Sequence, residues 1–194
     1  IKDVQAVKGL PTRKGSPLTD ATPDAADAPL VARLRGAGAI ILGKTTLPDR
    51  GWMAYSDSPL SGPTHNPWKP GYTAGGSSSG AAALCAAGIA PLHLGTDGAG
   101  SVRLPAHFCG VVGLKPTFGR VPYPPVGGHM LSHAGPITRS AADAALMLQV
   151  MSGPSPEDAT SLPQPFDAAT VVPSVKGMRI AYSPDLGHAR VDPD

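Results

Sequence analysis

The sequence is poor in charged residues and in cysteine, and it has no long apolar run. Only 15% of its 194 residues are charged, the formal net charge is +2, and the basic residues are scattered, so a nucleic-acid-binding surface is not expected. No apolar run approaches the length needed to cross a bilayer. Two cysteines, Cys85 and Cys109, lie in apolar surroundings. We therefore expect buried thiols and a reduced, cytoplasmic protein.

Glycine and proline are abundant by comparison. The 24 Gly and 23 Pro residues show no collagen-like period and fall between apolar segments. That distribution is typical of a compact protein with many loops. Because 41% of the residues are hydrophobic, the chain can bury a core and suits a single domain.

Two serine turns flanked by glycine stand out, one at 75–80 and one at 95–101. The residues between them predict an alanine-rich helix followed by a short apolar strand. A serine in a glycine-rich turn can expose its hydroxyl while neighbouring N–H groups converge on one point. Acyl transfer needs such a nucleophile and such donors. Either turn alone is more simply explained as an ordinary turn, since serine is a favoured helix N-cap.

Taken together, the two turns belong to a longer pattern. It reads Gly75-Gly76-Ser77-Ser78, Gly95-Thr96-Asp97, Gly100-Ser101-Val102-Arg103-Leu104-Pro105 and Gly113-Leu114-Lys115-Pro116-Thr117. This pattern resembles the amidase signature family. Lys2-Asp3, followed by Gly9-Leu10-Pro11-Thr12, is similar to the segment that carries the family's catalytic lysine. The resemblance implies one partial amidase signature domain at 1–194, with a motif core at 71–120 and incomplete at both ends.

A Ser-Ser-Lys triad is implied by this resemblance. Ser101 would attack the amide carbonyl, Ser77 would relay the proton, and Lys2 would accept it. Lys2 must then be neutral, so its pKa has to fall well below the usual value of about 10.4 through burial or a cationic neighbour. The resemblance also implies a cis peptide bond between Gly76 and Ser77.

The resemblance further implies an oxyanion hole made of consecutive backbone N–H groups, those of Gly98, Ala99, Gly100 and Ser101. Ala99 stands where glycine is usual in the family. Alanine would strain the loop by roughly 1 kcal/mol if this position has a positive φ, and would be silent otherwise. A structural network is expected to support the loop, formed by Ser78, Thr96, Asp97 and Arg103. Within it, Asp97 and Arg103 are expected to pair.

The implied function is hydrolysis of carboxylic amide bonds in small molecules through an acyl-enzyme on Ser101, with no metal and no cofactor. A second reading is the glutamine-hydrolysing component of a tRNA-dependent amidotransferase, which would act with partner subunits. A third is a truncated fragment without catalytic activity. The protein is expected to contact neither nucleic acid directly nor a membrane, and a homodimer is an alternative to the amidotransferase assembly.

Two further patterns suggest other functions, and their context argues against both. Residues 38–45 match a P-loop letter for letter, but a P-loop needs a strand before its first glycine and a helix that begins at its lysine. Here a helix is expected before Gly38, and 39–42 is expected to be a buried strand. His129 and His133 have the spacing of a metal pair on a helix, but glycine and proline surround them and the spacing offers no third ligand.

The expected fold is α/β, a mixed β-sheet with helices on both faces. Apolar spacing predicts a helix within 24–38, and Ser140 is expected to cap a second helix that extends to Met151. A further strand is expected to begin at 178–182. Residues 122–136 and 154–173 are rich in turn formers and are expected to be surface loops.

Overall fold

The computed structural model describes residues 1–124, 130–171 and 174–191. In these ranges the helices and strands are α1 (Pro29–Gly36), β1 (His65–Asn66), β2 (Lys69–Thr73), α2 (Ser79–Ala86), β3 (Leu92–Asp97), α3 (Arg103–Cys109), β4 (Val112–Gly113), β5 (His133–Thr138) and α4 (Ala141–Met151). Two short 3₁₀ turns lie at Asp49–Gly51 and Ala168–Thr170. None of the helices in the described ranges is long and apolar enough to span a membrane.

The central sheet has three antiparallel strands in the order β3-β5-β4. The beginning of the chain extends it, because the N–H of Lys2 donates to the carbonyl of Leu94 at 3.0 Å. Lys2 also forms a parallel bridge with Thr45, so the pairing is mixed. A second sheet consists of β1 and β2 alone. The sheet extension places Lys2 beside β3.

Helices cover both faces of the central sheet. Side chains alternate along a strand, so neighbouring residues of β3 and β5 face opposite sides. Leu94 and Ala134 pack with α1 and α4 in one core cluster, whereas Ile137 packs with α2 and α3 in a second cluster. The predicted α/β fold with helices on both faces is confirmed.

The small residues of α2 let this helix lie close to its neighbours. It is the alanine-rich run of the sequence, and most of its residues are buried. At Gly80 a Cβ atom would lie 2.5 Å from Thr46 Oγ1, so only glycine fits without a shift of the backbone. The Gly80 N–H donates to the Thr46 carbonyl at 3.1 Å. This contact fixes the N-terminal end of α2, where Ser77 and Ser78 lie.

The C-terminal helix follows its sequence prediction closely. Ser140 is the N-cap of α4, and its side chain accepts a hydrogen bond from the N–H of Asp143 at 3.1 Å. The helix ends at Met151, as expected. The first helix also forms where the spacing placed it, and it begins at Pro29. Both cysteines are buried and free, as their surroundings predicted.

Two predicted strands do not form, and those predictions were wrong. Residues 39–42 are in neither helix nor strand, and Ile40 and Leu42 are 86% and 73% exposed. Alternate side chains, Ala39 and Ile41, pack against the core, so the run is half-buried and pairs only farther on, at Thr45. Residues 178–182 are exposed and likewise irregular. Hydrophobicity alone therefore overestimated strand content, because a strand also needs a neighbour to pair with.

The prediction of a surface loop at 122–136 was wrong for its last residues, because β5 begins at His133 and all of its residues are buried. Gly135 and Pro136 suggested a turn, but they occupy paired positions opposite β3. The backbone of Leu114 passes so close to Gly135 that a Cβ atom would clash with it. Glycine thus marks a close approach of two backbone segments here. His129 lies outside the described residues.

Candidate active site

Three polar side chains meet beside the N-terminal end of α2. Lys2 Nζ donates to Ser77 Oγ at 2.7 Å and to Thr96 Oγ1 at 2.9 Å. Lys2 comes from the segment paired with β3, Thr96 lies on β3 itself, and Ser77 follows a cis peptide bond from Gly76, as expected. The structure therefore brings two members of the predicted triad, Lys2 and Ser77, into direct contact.

Lys2 is 1% exposed, which is rare for a lysine. Burial penalises its ammonium form and lowers its pKa to about 7, although the carboxylate of Asp97 opposes this shift. A substantial fraction of Lys2 is therefore neutral near pH 7. A neutral lysine in a hydrogen bond with a serine hydroxyl can accept that hydroxyl's proton.

Ser101 lies on the wall of the same cavity as Lys2 and Ser77. This cavity has a volume of about 440 Å³, within the range of roughly 300–1,000 Å³ usual for small-molecule sites. The Ser101 carbonyl accepts a hydrogen bond from the N–H of Ser78 at 3.1 Å, so the two serine turns are joined directly. Ser78 Oγ in turn accepts from the N–H of Thr96 at 3.2 Å. All three predicted triad residues therefore border one cavity.

Asp97 anchors the loop that carries Ser101. Its side chain is 0% exposed and pairs with Arg103 through two hydrogen bonds of 2.9 Å, from Nε and Nη2. It also accepts from the N–H groups of Gly100 at 2.7 Å and Val102 at 3.1 Å. Burial alone would raise the pKa of Asp97, but these hydrogen bonds outweigh it and lower the pKa to about 2. The pair predicted from the sequence is present.

The predicted oxyanion donors fall into two groups. Gly98, Ala99 and Ser101 line the cavity. The N–H of Gly100 is engaged by Asp97. The positive φ of this loop, 109°, occurs at Gly100 and not at Ala99, so alanine is accommodated at position 99 without left-handed strain.

The P-loop-like pattern does not form the site that its spacing suggested, and of the histidine pair the structure describes only His133. Lys44, the lysine of the P-loop-like pattern, pairs with Asp3 at 2.8 Å, and no helix of the described residues begins there. His133 lines the cavity, where its Nδ1 lies 2.6 Å from the Leu131 carbonyl. Within the described ranges, no group of three or more His, Cys, Asp or Glu side chains is placed to hold a metal ion.

Comparison with known proteins places the whole pattern in one family. A family model described as Amidase matches residues 1–194. The chain belongs to the amidase family.

Three relatives illustrate the likeness. This amidase-family chain is 51% identical over 202 residues to an acylamidase of Rhodococcus erythropolis, covering 100% of the chain and 42% of that protein. It is 42% identical to the A-type subunit of glutamyl-tRNA(Gln) amidotransferase from Anaeromyxobacter sp. (strain K), covering 93% of the chain and 37% of that protein. The structure of a bacterial aryl acylamidase of the amidase signature family matches with a TM-score of 0.77 at 36% identity, covering 86% of the chain and 36% of that enzyme. The chain thus spans about two fifths of the length of these relatives.

Several cavity residues of this amidase-family chain carry no signal in the sequence. Arg50 and Met53 come from a loop that precedes the first serine turn, and Tyr123 and Leu131 come from the segments before β5. Their place in the cavity depends on how loops cross the sheet, which periodicity does not reveal. A family pattern names the predicted triad, and it leaves the rest of the cavity unassigned.

Proposed function

We propose that this protein hydrolyses carboxylic amide bonds of small molecules through an acyl-enzyme on Ser101. The observation that carries the proposal is the 2.7 Å hydrogen bond between Lys2 Nζ and Ser77 Oγ, on the wall of a cavity that also holds Ser101. A serine hydroxyl is a weak nucleophile until a neighbouring base takes its proton. Lys2, with a pKa lowered to about 7, is suited to be that base.

In the first half-reaction, Ser101 Oγ attacks the carbonyl carbon of the amide. Its proton passes to Ser77 Oγ as the Ser77 proton passes to neutral Lys2 Nζ. The carbonyl oxygen becomes negatively charged and is stabilised by N–H groups of the loop, those of Gly98 and Ala99 in particular. Loss of one such donor typically costs about 3 kcal/mol in the transition state.

The tetrahedral intermediate then collapses. The carbon–nitrogen bond breaks, and the proton held by Lys2 returns through Ser77 to the leaving amine. Water attacks the ester on Ser101 in the second half-reaction, by the same proton path, and releases the carboxylic acid. Asp97 and Arg103 hold the loop in place without entering the reaction, and Thr96 holds Lys2 through its 2.9 Å hydrogen bond.

Glutamine hydrolysis for a tRNA-dependent amidotransferase is the second candidate, because the A-type component of such an enzyme is 42% identical to this chain. In that case the protein would act with partner subunits and would select the charged α-groups of glutamine. Assays of ammonia release from glutamine and from simple aliphatic and aryl amides separate the two candidates. Preference for glutamine would favour the second.

Labelling with a fluorophosphonate probe tests the nucleophile. We expect the full-length protein encoded by the gene to form one adduct, mapped to the peptide that contains Ser101, and the Ser101→Ala variant to form none. Ser132→Ala is the matched control, because Ser132 lines the same cavity and has no part in the relay. It should keep the adduct.

An adduct on another serine would contradict the proposed nucleophile. A folded full-length protein that neither takes the label nor hydrolyses any amide would favour the third reading, a domain without catalytic activity.

A further inference from the structure

Arg50 has a backbone conformation that is uncommon for arginine. It lies in the turn Asp49–Gly51 with φ of 50° and ψ of 14°, in the left-handed region. The turn is held by hydrogen bonds from the Arg50 N–H to the Lys14 carbonyl at 2.7 Å and from the Gly51 N–H to the Pro48 carbonyl at 2.9 Å. Non-glycine residues in this region are concentrated at functional sites, where the surrounding structure holds them.

The turn lies against the reacting groups. A Cβ atom on Gly51, which has φ of 74°, would lie 3.2 Å from Ser77 Oγ. Arg50 is the neighbour of this residue in the chain, and it lines the cavity that also holds Ser77 and Ser101. An amide positioned for attack by Ser101 would therefore have the Arg50 turn on one side.

Arg50 has no close carboxylate partner among the cavity-lining residues that the structure describes, and its one ion pair, with Asp49, is long and exposed. Among the cavity-lining residues that the structure describes, Asp97 is the one carboxylate, and Arg103 already pairs with it. Asp49, the neighbour of Arg50, has its Oδ1 3.9 Å from Arg50 Nε, too far for a hydrogen bond. The Arg50 side chain is 60% exposed, so its donors remain accessible.

We propose that Arg50 binds a carboxylate on the substrate, so that the site selects amides that carry an anionic group away from the scissile bond. This inference rests on the proposed amide hydrolysis. A guanidinium matches a carboxylate through two parallel hydrogen bonds, which lysine cannot reproduce. The apolar cavity residues Trp52, Met53 and Leu104 would contact the uncharged part of such a substrate.

Matched pairs of ligands test the proposal. One pair differs in the acyl part, the 4-nitroanilide of glutaric acid against that of 5-oxohexanoic acid, in which a methyl ketone replaces the carboxylate. The other differs in the amine part, 4-acetamidobenzoate against 4-acetamidoacetophenone. Dissociation constants are measured by calorimetry in full-length protein carrying Ser101→Ala, and kcat/KM is measured in protein that retains Ser101.

We expect the anionic member of at least one pair to bind more tightly, and Arg50→Gln to lower that preference about tenfold. Arg50→Lys should restore part of it, because the charge returns without the planar fork. Arg179→Gln removes one exposed positive charge outside the cavity lining, and the preference should persist in that variant.

A preference that survives Arg50→Gln would overturn the proposal, as would equal binding of both members of both pairs. Because binding is measured without Ser101, this result does not depend on turnover. Hydrolysis of both members without an anionic preference would leave amide hydrolysis standing and refute the role of Arg50. Failure of Ser101 to take the fluorophosphonate label would instead refute the proposed function.

Discussion

At the scale of single residues, the site depends on a buried lysine whose hydrogen-bond partners are neutral. The Nζ of Lys2 contacts the hydroxyls of Ser77 and Thr96. Hydroxyl dipoles compensate a buried ammonium only in part, and the remaining penalty is what lowers the lysine pKa. The same burial that makes Lys2 costly to protonate suits it to be the proposed base near neutral pH.

The pH dependence of the proposed hydrolysis should therefore report the ionisation of Lys2. Because protonated Lys2 cannot accept a proton, kcat/KM should fall about tenfold per unit below its pKa of about 7 and level off above it. Lys2→Met should lower kcat by about 10²-fold or more, since methionine fills similar space without a base. Rates from about pH 5 to about pH 9 check both points. Lys69 is an exposed lysine, so Lys69→Met is the control and should show the wild-type dependence of kcat/KM on pH. If kcat/KM of Lys2→Met still fell at low pH as in the wild type, Lys2 would be excluded as the base.

The Asp97–Arg103 pair predicts a second pH effect, on stability. The folded-state pKa of Asp97 is lowered to about 2, so its contribution is fully present above the ordinary value of 3.8 and is lost as pH falls toward 2. Arg103→Met removes two hydrogen bonds to a buried carboxylate and should lower the free energy of unfolding by about 1.5–3 kcal/mol near neutral pH. It should also shift acid unfolding to higher pH, because the Asp97 pKa rises when the hydrogen bonds and the positive charge of the Arg103 side chain are lost.

Thermal unfolding of the Arg103→Met variant at several pH values measures these shifts. Arg179→Met, at an exposed position, is the control and should change little. Equal acid stability in both variants would mean that Arg103 does not determine the ionisation of Asp97.

Single residues of the site were predictable to the extent that a family pattern names them. Ser77, Ser101 and Lys2, the three residues that the resemblance named, border one cavity. The engagement of the Gly100 N–H by Asp97 was not predictable, because it depends on backbone angles that the letters Gly-Ala-Gly leave open. Arg50 escaped notice for the same reason, since a charged residue in a loop has no characteristic spacing.

At the scale of elements, α2 carries the first serine turn and is positioned through Gly80. A Cβ atom there would lie 2.5 Å from Thr46 Oγ1 and 2.6 Å from the Thr46 nitrogen. Gly80→Ala should therefore push α2 away from Thr46, lower the free energy of unfolding by about 1–3 kcal/mol and reduce kcat by displacing Ser77. Urea denaturation and turnover of a simple anilide measure the two effects.

Gly36→Ala is the matched control for this prediction, because Gly36 also lies in a helix and a Cβ atom there has no neighbour within 4 Å. Alanine is the better helix former, so this variant should be neutral or up to about 1 kcal/mol more stable. If Gly80→Ala behaved like its control, the close contact of α2 with Thr46 would not position the serine turn.

Elements were predicted well where a local signal determined them. Ser140 capping and apolar spacing located α4, and the alanine run located α2. Strands were predicted poorly at 39–42 and at 178–182, because ladder formation depends on a partner distant in the sequence. In β5 a strand was missed. Gly135 and Pro136 suggested a turn, but they belong to a buried central strand.

At the scale of the whole molecule, the candidate site is assembled from distant parts of the chain. Lys2 lies 75 residues from Ser77, its hydrogen-bond partner. The first residues pair with β3, and β3 is held by β5 and by helices on both sides. The site therefore forms only when the central sheet and its helices have folded. Packing far from the cavity should contribute to the free energy of unfolding without changing kcat.

A substitution of Arg33 tests whether distant packing affects stability alone. It lies on α1, and its Nη1 donates to the carbonyls of Met151, Ser152 and Gly153 at 2.9, 2.7 and 3.0 Å, at the C-terminal end of α4. Carbonyls at a helix end are unsatisfied and partly negative, so a cation there stabilises them. Arg33→Met should lower the free energy of unfolding by about 1.5–3 kcal/mol, measured by urea denaturation.

Arg35→Met on the same helix is the control, because Arg35 is half-exposed and its ion pair with Asp27 at 2.7 Å lies at the surface. Exposed pairs typically contribute less than about 1 kcal/mol. Both variants should keep the wild-type kcat at temperatures where they remain folded, since neither arginine lines the cavity. The strands β3 and β5 lie between the contact of α1 with α4 and the serine turns. A loss of kcat in Arg33→Met under those conditions would therefore mean that this contact also fixes, through the sheet, the geometry of the proposed reacting groups.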